Sequence, residues 1–236
     1  MNLIQYLKEA KYPQTGTPVI AFFGDSVTHG AFESVEGQVW GSAFDFDAVY
    51  HNRLKKMLLT VNPWLPVSII NAGMAGDCAA FALDRLERDV ISHRPMLCVV
   101  SFCLNDACTM PVEDYIAAMR QIFTRLREAG IPPILLTENM LNSYRHPDTA
   151  PRFFAFAEKT AELHRNGTMD AYVNAVRALA REMDVTVADA YATWEKMRAD
   201  GVDITLCLDN LINHPKRELH QIFADAIFDV LDRDIH

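Results

Sequence analysis

Two polar stretches, far apart in the sequence, hold side chains that could hydrolyse an ester. The apolar run VIAFF ends on Gly24, Asp25 and Ser26, and a serine hydroxyl becomes a nucleophile when a base removes its proton. Among the eight histidines, His214 is the best-placed base, because Pro215 begins a helix and fixes the turn before it. We therefore take Ser26 and His214 as the candidate nucleophile and general base.

Two further stretches offer the hydrogen-bond donors that such a reaction needs. Attack on an ester carbonyl creates an oxyanion, which must be stabilised by donors aimed at it. The backbone N–H groups of Ser26 and Gly76 can donate, and Gly76 has no Cβ to hinder a close approach. The side chain of Asn105 offers a third N–H donor.

Each of these features has a structural explanation when it is taken alone. The run GDS is a common turn composition, NAGMAG reads as a loop, and Asn105-Asp106 is typical of a helix N-cap. Their occurrence together, in order and each at a predicted element boundary, favours a catalytic interpretation.

Alternating strands and helices would position these residues. We predict strands at 17–23, 67–71, 96–102, 132–137 and 185–188, helices at 44–60, 81–91, 112–129, 169–183, 193–199 and 215–231, and a polar loop at 138–153. Several strands are apolar at every residue, as in parallel sheets covered by helices on both faces. The expected fold is a single domain over 1–236, a three-layer α/β/α sandwich whose sheet has about five parallel strands. Ligands bind at the carboxyl ends of such strands.

The composition narrows the class of partner. The chain has 31 acidic and 22 basic residues and a net charge of −9, which argues against nucleic acid and, more weakly, against an anionic membrane. We see no signal peptide at the N-terminus and no apolar run long enough to cross a bilayer. The five cysteines form no C-x-x-C pair, so we expect free thiols and a cytoplasmic protein.

The four stretches together resemble a known family. FFGDSVTHG, NAGMAGD, CLNDA and NHPKRELH are similar to the four sequence blocks of the SGNH, or GDSL-type, hydrolase superfamily, in the family's order. This resemblance covers nearly the whole chain, and it implies a flavodoxin-like α/β/α fold. It also implies serine-dependent hydrolysis of esters or thioesters without a metal or an organic cofactor. By this resemblance Ser26 is the nucleophile, Gly76 and Asn105 are oxyanion donors, and His214 is the base.

Two positions depart from the family pattern. Cys103 stands where the third block usually has glycine, and we expect only a local change in packing. Leu211 stands three residues before His214, where the family commonly has an aspartate that orients the histidine. We expect Asp209 to take that role through a longer turn, and we keep Asn210 or a backbone carbonyl as alternatives.

Other residues near the predicted site are candidates for contact with substrate. Glu138 and Asn139 follow the fourth strand and fall on the active edge of the sheet, and together with Asp25 they are our predicted substrate-binding residues. Trp40 and Phe44 either line the acyl pocket or belong to the core. The polar segment GQVWGSAFD favours short acyl groups such as acetyl, on a small molecule or a carbohydrate.

Two rival functions remain open at this point. A metal-dependent phosphoesterase could use as ligands Asp25, His29, Asn105, Asp106 and His214, although such enzymes normally have denser His/Asp clusters. The leucine at position 211 also fits an inactive carbohydrate-binding module of the same fold.

Overall fold

The computed structural model describes residues 2–11, 16–36 and 41–233. Within these residues the strands are β1 (Val19–Gly24), β2 (Ala31–Ser34), β3 (Ser42–Phe44), β4 (Ser68–Gly73), β5 (Leu97–Ser101), β6 (Pro133–Leu136) and β7 (Thr186–Ala188). The helices are α1 (Leu3–Glu9), α2 (Ser26–His29), α3 (Tyr50–Val61), α4 (Ala79–Ala82), α5 (Leu86–Asp89), α6 (Leu104–Thr109), α7 (Val112–Glu128), α8 (Phe154–Arg165), α9 (Thr168–Glu182), α10 (Ala190–Ala199) and α11 (His220–Leu231). Single 3₁₀ turns lie at Ile91–His93, Pro151–Phe153, Thr205–Cys207 and Arg217–Leu219.

Five strands form one parallel sheet in the order β4-β1-β5-β6-β7. When these five strands are renumbered along the chain, this is the doubly wound order 2-1-3-4-5. In that topology the switch point lies between β1 and β5, and ligands bind outside the carboxyl ends of the strands there. The predicted fold class is confirmed, and all five predicted strands are present.

Helices pack on both sides of this sheet around one hydrophobic core. One group consists of α3 with α1 and α11, and another consists of α7 with α4 and α9. α7 shows why these sequences form amphipathic helices, since its buried residues recur three and four apart: Tyr115, Ala118, Met119, Ile122, Phe123 and Leu126. Gly130, with φ of 74°, ends this segment in the left-handed conformation that is typical of a glycine after a helix.

The helix predicted over 81–91 is interrupted at Arg85. This residue is buried, and its guanidinium donates to the carbonyl oxygens of Ala72 at 2.7 Å and Gly24 at 3.1 Å. It also donates to the Asp77 carboxylate at 2.7 Å. Arg85 therefore faces inward although it is charged, because its charge is compensated inside the protein. α4 and α5 lie on either side of it as two short helices.

Two other predicted segments differ in the structure. The helix predicted from 44 begins at Tyr50, because Phe44 belongs to β3, which pairs antiparallel with β2. The loop predicted over 138–153 is followed by α8, a helix that the sequence analysis missed. The hairpin of β2 and β3 and the start of α8 both reach the candidate site.

Candidate active site

The end of β1 positions Ser26 at the carboxyl edge of the sheet. Gly24 is required there, because an added Cβ would clash with the side chain of Thr28. Asp25 is fully buried, and its Oδ1 accepts a hydrogen bond from the backbone N–H of Val27 at 2.9 Å. Asp25 thus caps α2, whose first residue is Ser26.

Ser26 and His214 form a hydrogen-bonded pair. Ser26 Oγ lies 3.0 Å from His214 Nε2, and His214 Nδ1 lies 2.8 Å from the carbonyl oxygen of Phe32. A carbonyl oxygen can only accept, so Nδ1 carries the proton of the neutral ring. Nε2 then has a free lone pair and accepts the hydrogen bond that Ser26 Oγ donates. In this arrangement the imidazole can remove the serine proton.

Burial determines the charge of His214. Desolvation lowers its pKa to about 4, and the hydrogen bond to the Phe32 carbonyl offsets part of this effect. The ring is therefore neutral at pH 7, as a general base must be before the reaction begins. The Phe32 carbonyl fixes the tautomer without supplying the negative charge that would favour the protonated ring.

A compact loop before His214 holds the backbone of this residue. Asn210 Oδ1 accepts hydrogen bonds from the N–H groups of Ile212 at 3.0 Å, Asn213 at 2.9 Å and His214 at 2.9 Å. Leu211 has φ of 61°, a left-handed conformation that is uncommon for leucine and lets the chain turn around Asn210. Asn210 therefore organises the loop and does not contact the imidazole.

The predicted contact between Asp209 and His214 is not made. Asp209 Oδ2 accepts a hydrogen bond from Arg217 Nη1 at 3.1 Å, whereas His214 Nδ1 donates to Phe32. The prediction that Asp209 orients His214 is therefore wrong, and the backbone-carbonyl alternative describes the geometry. The reason is the turn at 210–211, which brings the N–H of Asp209 to the carbonyl of His214 at 2.8 Å and leaves the carboxylate facing Arg217.

Gly76 lies in the same cleft as Ser26 and His214. Its φ of 80° falls in the left-handed region that glycine adopts without strain. An added Cβ would have no protein neighbour within 4 Å, so packing within the protein does not require this glycine, whereas its backbone conformation does.

Asn105 reaches the cleft from the first turn of α6. Its Nδ2 donates to the carbonyl oxygen of Asp77 at 2.8 Å and to Asp25 Oδ2 at 3.3 Å. The second bond is the longer and weaker one. The structure thus gathers Ser26, Gly76 and Asn105 at one cleft, and donation by these groups to an oxyanion stays a prediction.

The three predicted substrate-binding residues lie beneath the cleft. The exposed fractions of Asp25, Glu138 and Asn139 are 0%, 1% and 0%, and none of them lines the cleft. The prediction that they contact substrate is therefore wrong. Asn139 Nδ2 instead donates to the carbonyl of Asn213 at 2.8 Å and so supports the histidine loop.

Several cleft residues were missed by the sequence analysis. The cleft has a volume of about 270 Å³, and its walls include Ser34 and Ser42 from the hairpin and Phe153 and Phe156 from the start of α8. Arg152 joins these two walls, because its guanidinium donates to the carbonyl oxygen of Gly41 at 3.2 Å. A short hairpin and an aromatic run after two prolines were the only signals for these walls.

The two candidate acyl-pocket aromatics have different outcomes. Trp40 lies outside the described residues. The ring of Phe44 packs against that of His29 at a tilt, with centroids 4.6 Å apart, and does not line the cleft around Ser26.

The described part of the chain lacks two features that other functions would need. Across residues 2–11, 16–36 and 41–233, no three His, Cys, Asp or Glu side chains are grouped so that they could hold a metal ion. In the same residues no helix is both long and apolar enough to span a membrane. The five cysteines are free thiols.

Known proteins resemble this chain over most of its length. The family model for GDSL-like lipases and acylhydrolases matches residues 22–222. An acetylxylan esterase from Geobacillus stearothermophilus is 23% identical over 218 residues, which cover 88% of this chain and 90% of that protein.

Solved structures show the same fold. A crystal structure of an acetylxylan esterase from G. stearothermophilus superposes with a TM-score of 0.68 at 22% identity, covering 93% of this chain and 96% of that chain. A protein of the G-D-S-L family from Desulfitobacterium hafniense gives a TM-score of 0.64 at 18% identity, covering 91% and 99%. Since the family model matches most of the sequence, the chain belongs to the GDSL-like lipase/acylhydrolase family and is a serine ester hydrolase.

Proposed function

We propose that this enzyme hydrolyses short-chain carboxylic esters, in particular acetyl esters of carbohydrates, with Ser26 as nucleophile and His214 as general base. The observation that carries the proposal is the continuous set of hydrogen bonds from Ser26 Oγ to His214 and from His214 to the Phe32 carbonyl. It opens onto a cleft that also contains Gly76 and Asn105.

Acylation begins when His214 Nε2 takes the proton of Ser26 and Oγ attacks the ester carbonyl carbon. The neutral, Nδ1-protonated ring is the form that can accept this proton. The tetrahedral intermediate then collapses, and the imidazolium returns the proton to the departing alcohol oxygen. The product of this half-reaction is an acyl group bonded to Ser26 Oγ.

The oxyanion of that intermediate receives hydrogen bonds from the backbone N–H groups of Ser26 and Gly76 and from Asn105 Nδ2. Asn105 exchanges its 3.3 Å contact with Asp25 for the substrate oxygen and keeps its 2.8 Å bond to Asp77, so the side chain needs little rearrangement. A donor that is already held in position costs no reorganisation when the charge develops.

Deacylation repeats these steps with water in place of the serine. His214 activates the water, which attacks the acyl carbon, and the ring returns the proton to Ser26 Oγ. The Phe32 carbonyl oxygen accepts the hydrogen bond from the Nδ1–H of His214 throughout and keeps the ring orientation fixed. A neutral carbonyl stabilises the imidazolium less than a carboxylate would, because it carries no net charge.

The cleft favours a small acyl group and a sugar-like alcohol. Its volume of about 270 Å³ lies just below the roughly 300–1,000 Å³ of sites for drug-sized ligands. Phe153 and Phe156 offer apolar surface, and Ser34 and Ser42 offer hydroxyls, a combination that suits the mixed polarity of a sugar ring. The acetylxylan esterase activity named for the Geobacillus relative supports the same substrate class.

The proposal is tested with an acyl-chain series. We would measure kcat/KM for p-nitrophenyl acetate, butyrate and octanoate, and release of acetate from acetylated xylose, with the wild-type enzyme and with Ser26→Ala. We expect activity to fall as the chain lengthens and to be lost in Ser26→Ala. Ser92→Ala, which changes an exposed serine far from the cleft, is the matched control.

The outcomes separate the rival functions. Equal turnover in Ser26→Ala would contradict the serine mechanism, and a preference for octanoate would contradict the short-chain assignment. Loss of activity with a chelator, restored by a divalent metal, would favour a phosphoesterase. Binding of acetylated sugars without turnover by the wild type would favour an inactive binding module.

A further inference from the structure

One buried acid near the active site has no part in the reaction described above. Glu138 follows β6, its exposed fraction is 1%, and it does not reach the cleft. Its Oε2 accepts a hydrogen bond from the backbone N–H of Leu104 at 2.9 Å. Leu104 is the first residue of α6 and directly precedes Asn105.

The other partner of Glu138 is the acid that caps the nucleophile helix. The carboxyl groups of Asp25 and Glu138 are hydrogen-bonded to each other. Two carboxylates have only acceptor oxygens, so this bond requires a proton on one of them. Burial raises the pKa of Asp25 to about 7 and the pKa of Glu138 well above its usual value. Their shared hydrogen bond lowers the pKa of Asp25 and raises that of Glu138, so Glu138 is the donor and Asp25 the acceptor.

Asp25 in turn connects both sides of the candidate site. Its Oδ1 accepts from Val27 in α2, and its Oδ2 lies 3.3 Å from Asn105 Nδ2. We propose that Glu138 is a positioning residue that donates a hydrogen bond to Asp25 and accepts one from the Leu104 N–H, and that it thereby holds the nucleophile turn and the Asn105 helix in register. This inference rests on the proposed function, in which Ser26 and Asn105 act on the same substrate carbonyl.

The surroundings make the hydrogen bond between Glu138 and Asp25 depend on the proton of Glu138. Two further acids, Asp77 and Asp106, face the pair, and the cation Arg85 lies close by. The neutral groups around the pair are Tyr50, Ser101, Cys103 and Tyr115. Arg85 is already bonded to the Asp77 carboxylate at 2.7 Å. When Glu138 loses its proton, it faces the Asp25 carboxylate without a free counter-ion, and the two groups repel each other. We expect kcat to fall as the pH rises through this ionisation.

The test is the pH profile of kcat for the wild type, Glu138→Gln and Glu138→Ala, with p-nitrophenyl acetate and correction for spontaneous hydrolysis. Glutamine keeps both hydrogen bonds, because its amide N–H donates to Asp25 and its carbonyl oxygen accepts from the Leu104 N–H. We expect Glu138→Gln to stay within about threefold of the wild type at pH 7 and to lose the alkaline decrease. Glu138→Ala should lower kcat by about 10- to 100-fold with little change in KM.

A control and a second measurement keep the outcomes distinct. Glu128→Gln, at an exposed glutamate in the last turn of α7, should leave the pH profile unchanged. The infrared difference spectrum of the wild type minus Glu138→Gln at pH 7 should show the band of a protonated carboxylic acid. Asp106, whose pKa burial raises to about 7, contributes to both proteins and cancels in the difference. This readout needs no substrate and no stable Glu138→Ala protein, so it remains decisive if the proposed esterase activity fails.

Three results would overturn the inference. The first is an alkaline decrease in Glu138→Gln that matches the wild type, and the second is a wild-type kcat in Glu138→Ala. The third is the absence of the infrared band of a protonated acid at position 138. A wild-type enzyme that does not hydrolyse p-nitrophenyl acetate would instead contradict the proposed function.

Discussion

The two sides of the active site are built in different ways. Ser26 and Asn105 follow the adjacent strands β1 and β5, where buried side chains such as Asp25 bond to the backbone and to each other. His214 lies instead on a loop whose backbone is held by the side chains of Asn210 and Asn139, and its ring is oriented by the carbonyl of Phe32.

This difference explains which side keeps the reactive residues of the family pattern, since Cys103 on the strand side replaces only the glycine that precedes Asn105 by two residues. Close packing at the ends of two neighbouring strands leaves little room for change, and at Gly24 even one added carbon would clash with Thr28. The histidine loop only has to position an imidazole whose Nδ1–H has a hydrogen-bond acceptor, and a backbone carbonyl can be that acceptor. The loop can therefore lose the aspartate that the family commonly has at position 211 and still orient His214.

The largest predicted effect comes from removing the hydrogen bond between Ser26 and His214, which joins the strand side of the site to the histidine loop. Ser26→Ala and His214→Ala should each lower kcat by roughly 10⁴-fold or more, and the double variant should lose no more than either single one. The reason is that neither group acts without the other. Steady-state kinetics on p-nitrophenyl acetate, beside Ser92→Ala, measure this, and multiplicative losses would show that the two residues act independently.

The next largest effect lies on the nucleophile side alone. Asn105→Ala should lower kcat by about 10²- to 10³-fold with a small change in KM, because the lost donor acts mainly on the transition state. Asn174→Ala, at an exposed position of α9, is the matched control. A change confined to KM would assign Asn105 to ground-state binding and contradict its role as an oxyanion donor.

The acid side of the pH profile reports on the base. Because burial lowers the pKa of His214 to about 4, kcat/KM should remain high down to mildly acidic pH and fall as the pH drops through about 4. A carboxylate partner would favour the charged ring and move this decrease to higher pH. A decrease centred near or above 6.5 would contradict the carbonyl-oriented geometry.

This measurement needs short exposures to acid. His51 and His220 are also buried, and burial lowers their pKa values to about 4 and about 3, below the 6.5 of the unfolded chain. The unfolded chain therefore binds more protons, and stability is lost as the pH falls from about 6.5 towards these values. Thermal unfolding at each pH separates this loss from titration of the base.

The smallest effect is expected at Asp209, the acid that the sequence predicted to orient His214. Asp209→Asn should change kcat less than about tenfold, because Arg217 keeps its ion pairs with Glu33 and Asp45 and partly exposed pairs contribute little. An aspartate that oriented the histidine would cost roughly 10⁴-fold when changed to asparagine. A loss of that size would return Asp209 to the catalytic residues.

The sheet and the Ser26–His214 pairing were predictable because they follow from strand order. Apolar runs identify the strands, and in parallel sheets the residues after them gather at one edge. The direction of a polar side chain at that edge was not predictable in the same way. Asp25, Glu138 and Arg85 point into the protein because their polar groups find hydrogen-bond partners there, and several of these partners come from distant segments.

The partner of His214 was harder still to predict. A backbone carbonyl exists at every residue, so no residue type in the sequence identifies Phe32 as the acceptor. Asp209 is an obvious candidate in the sequence, but it does not contact His214. The walls of the cleft were missed for a related reason. β2, β3 and the start of α8 are short, so their periodicity is too brief to distinguish them from loops.

The central claim is that Ser26 is a nucleophile activated by His214. The most direct measurement is the rate and site of labelling by a fluorophosphonate, followed by intact mass and peptide mapping. We predict one adduct on Ser26 in the wild type, none in Ser26→Ala, strongly slowed labelling in His214→Ala and nearly unchanged labelling in Asp209→Asn. An active wild-type enzyme that carries no adduct, or carries it on another residue, would contradict the account.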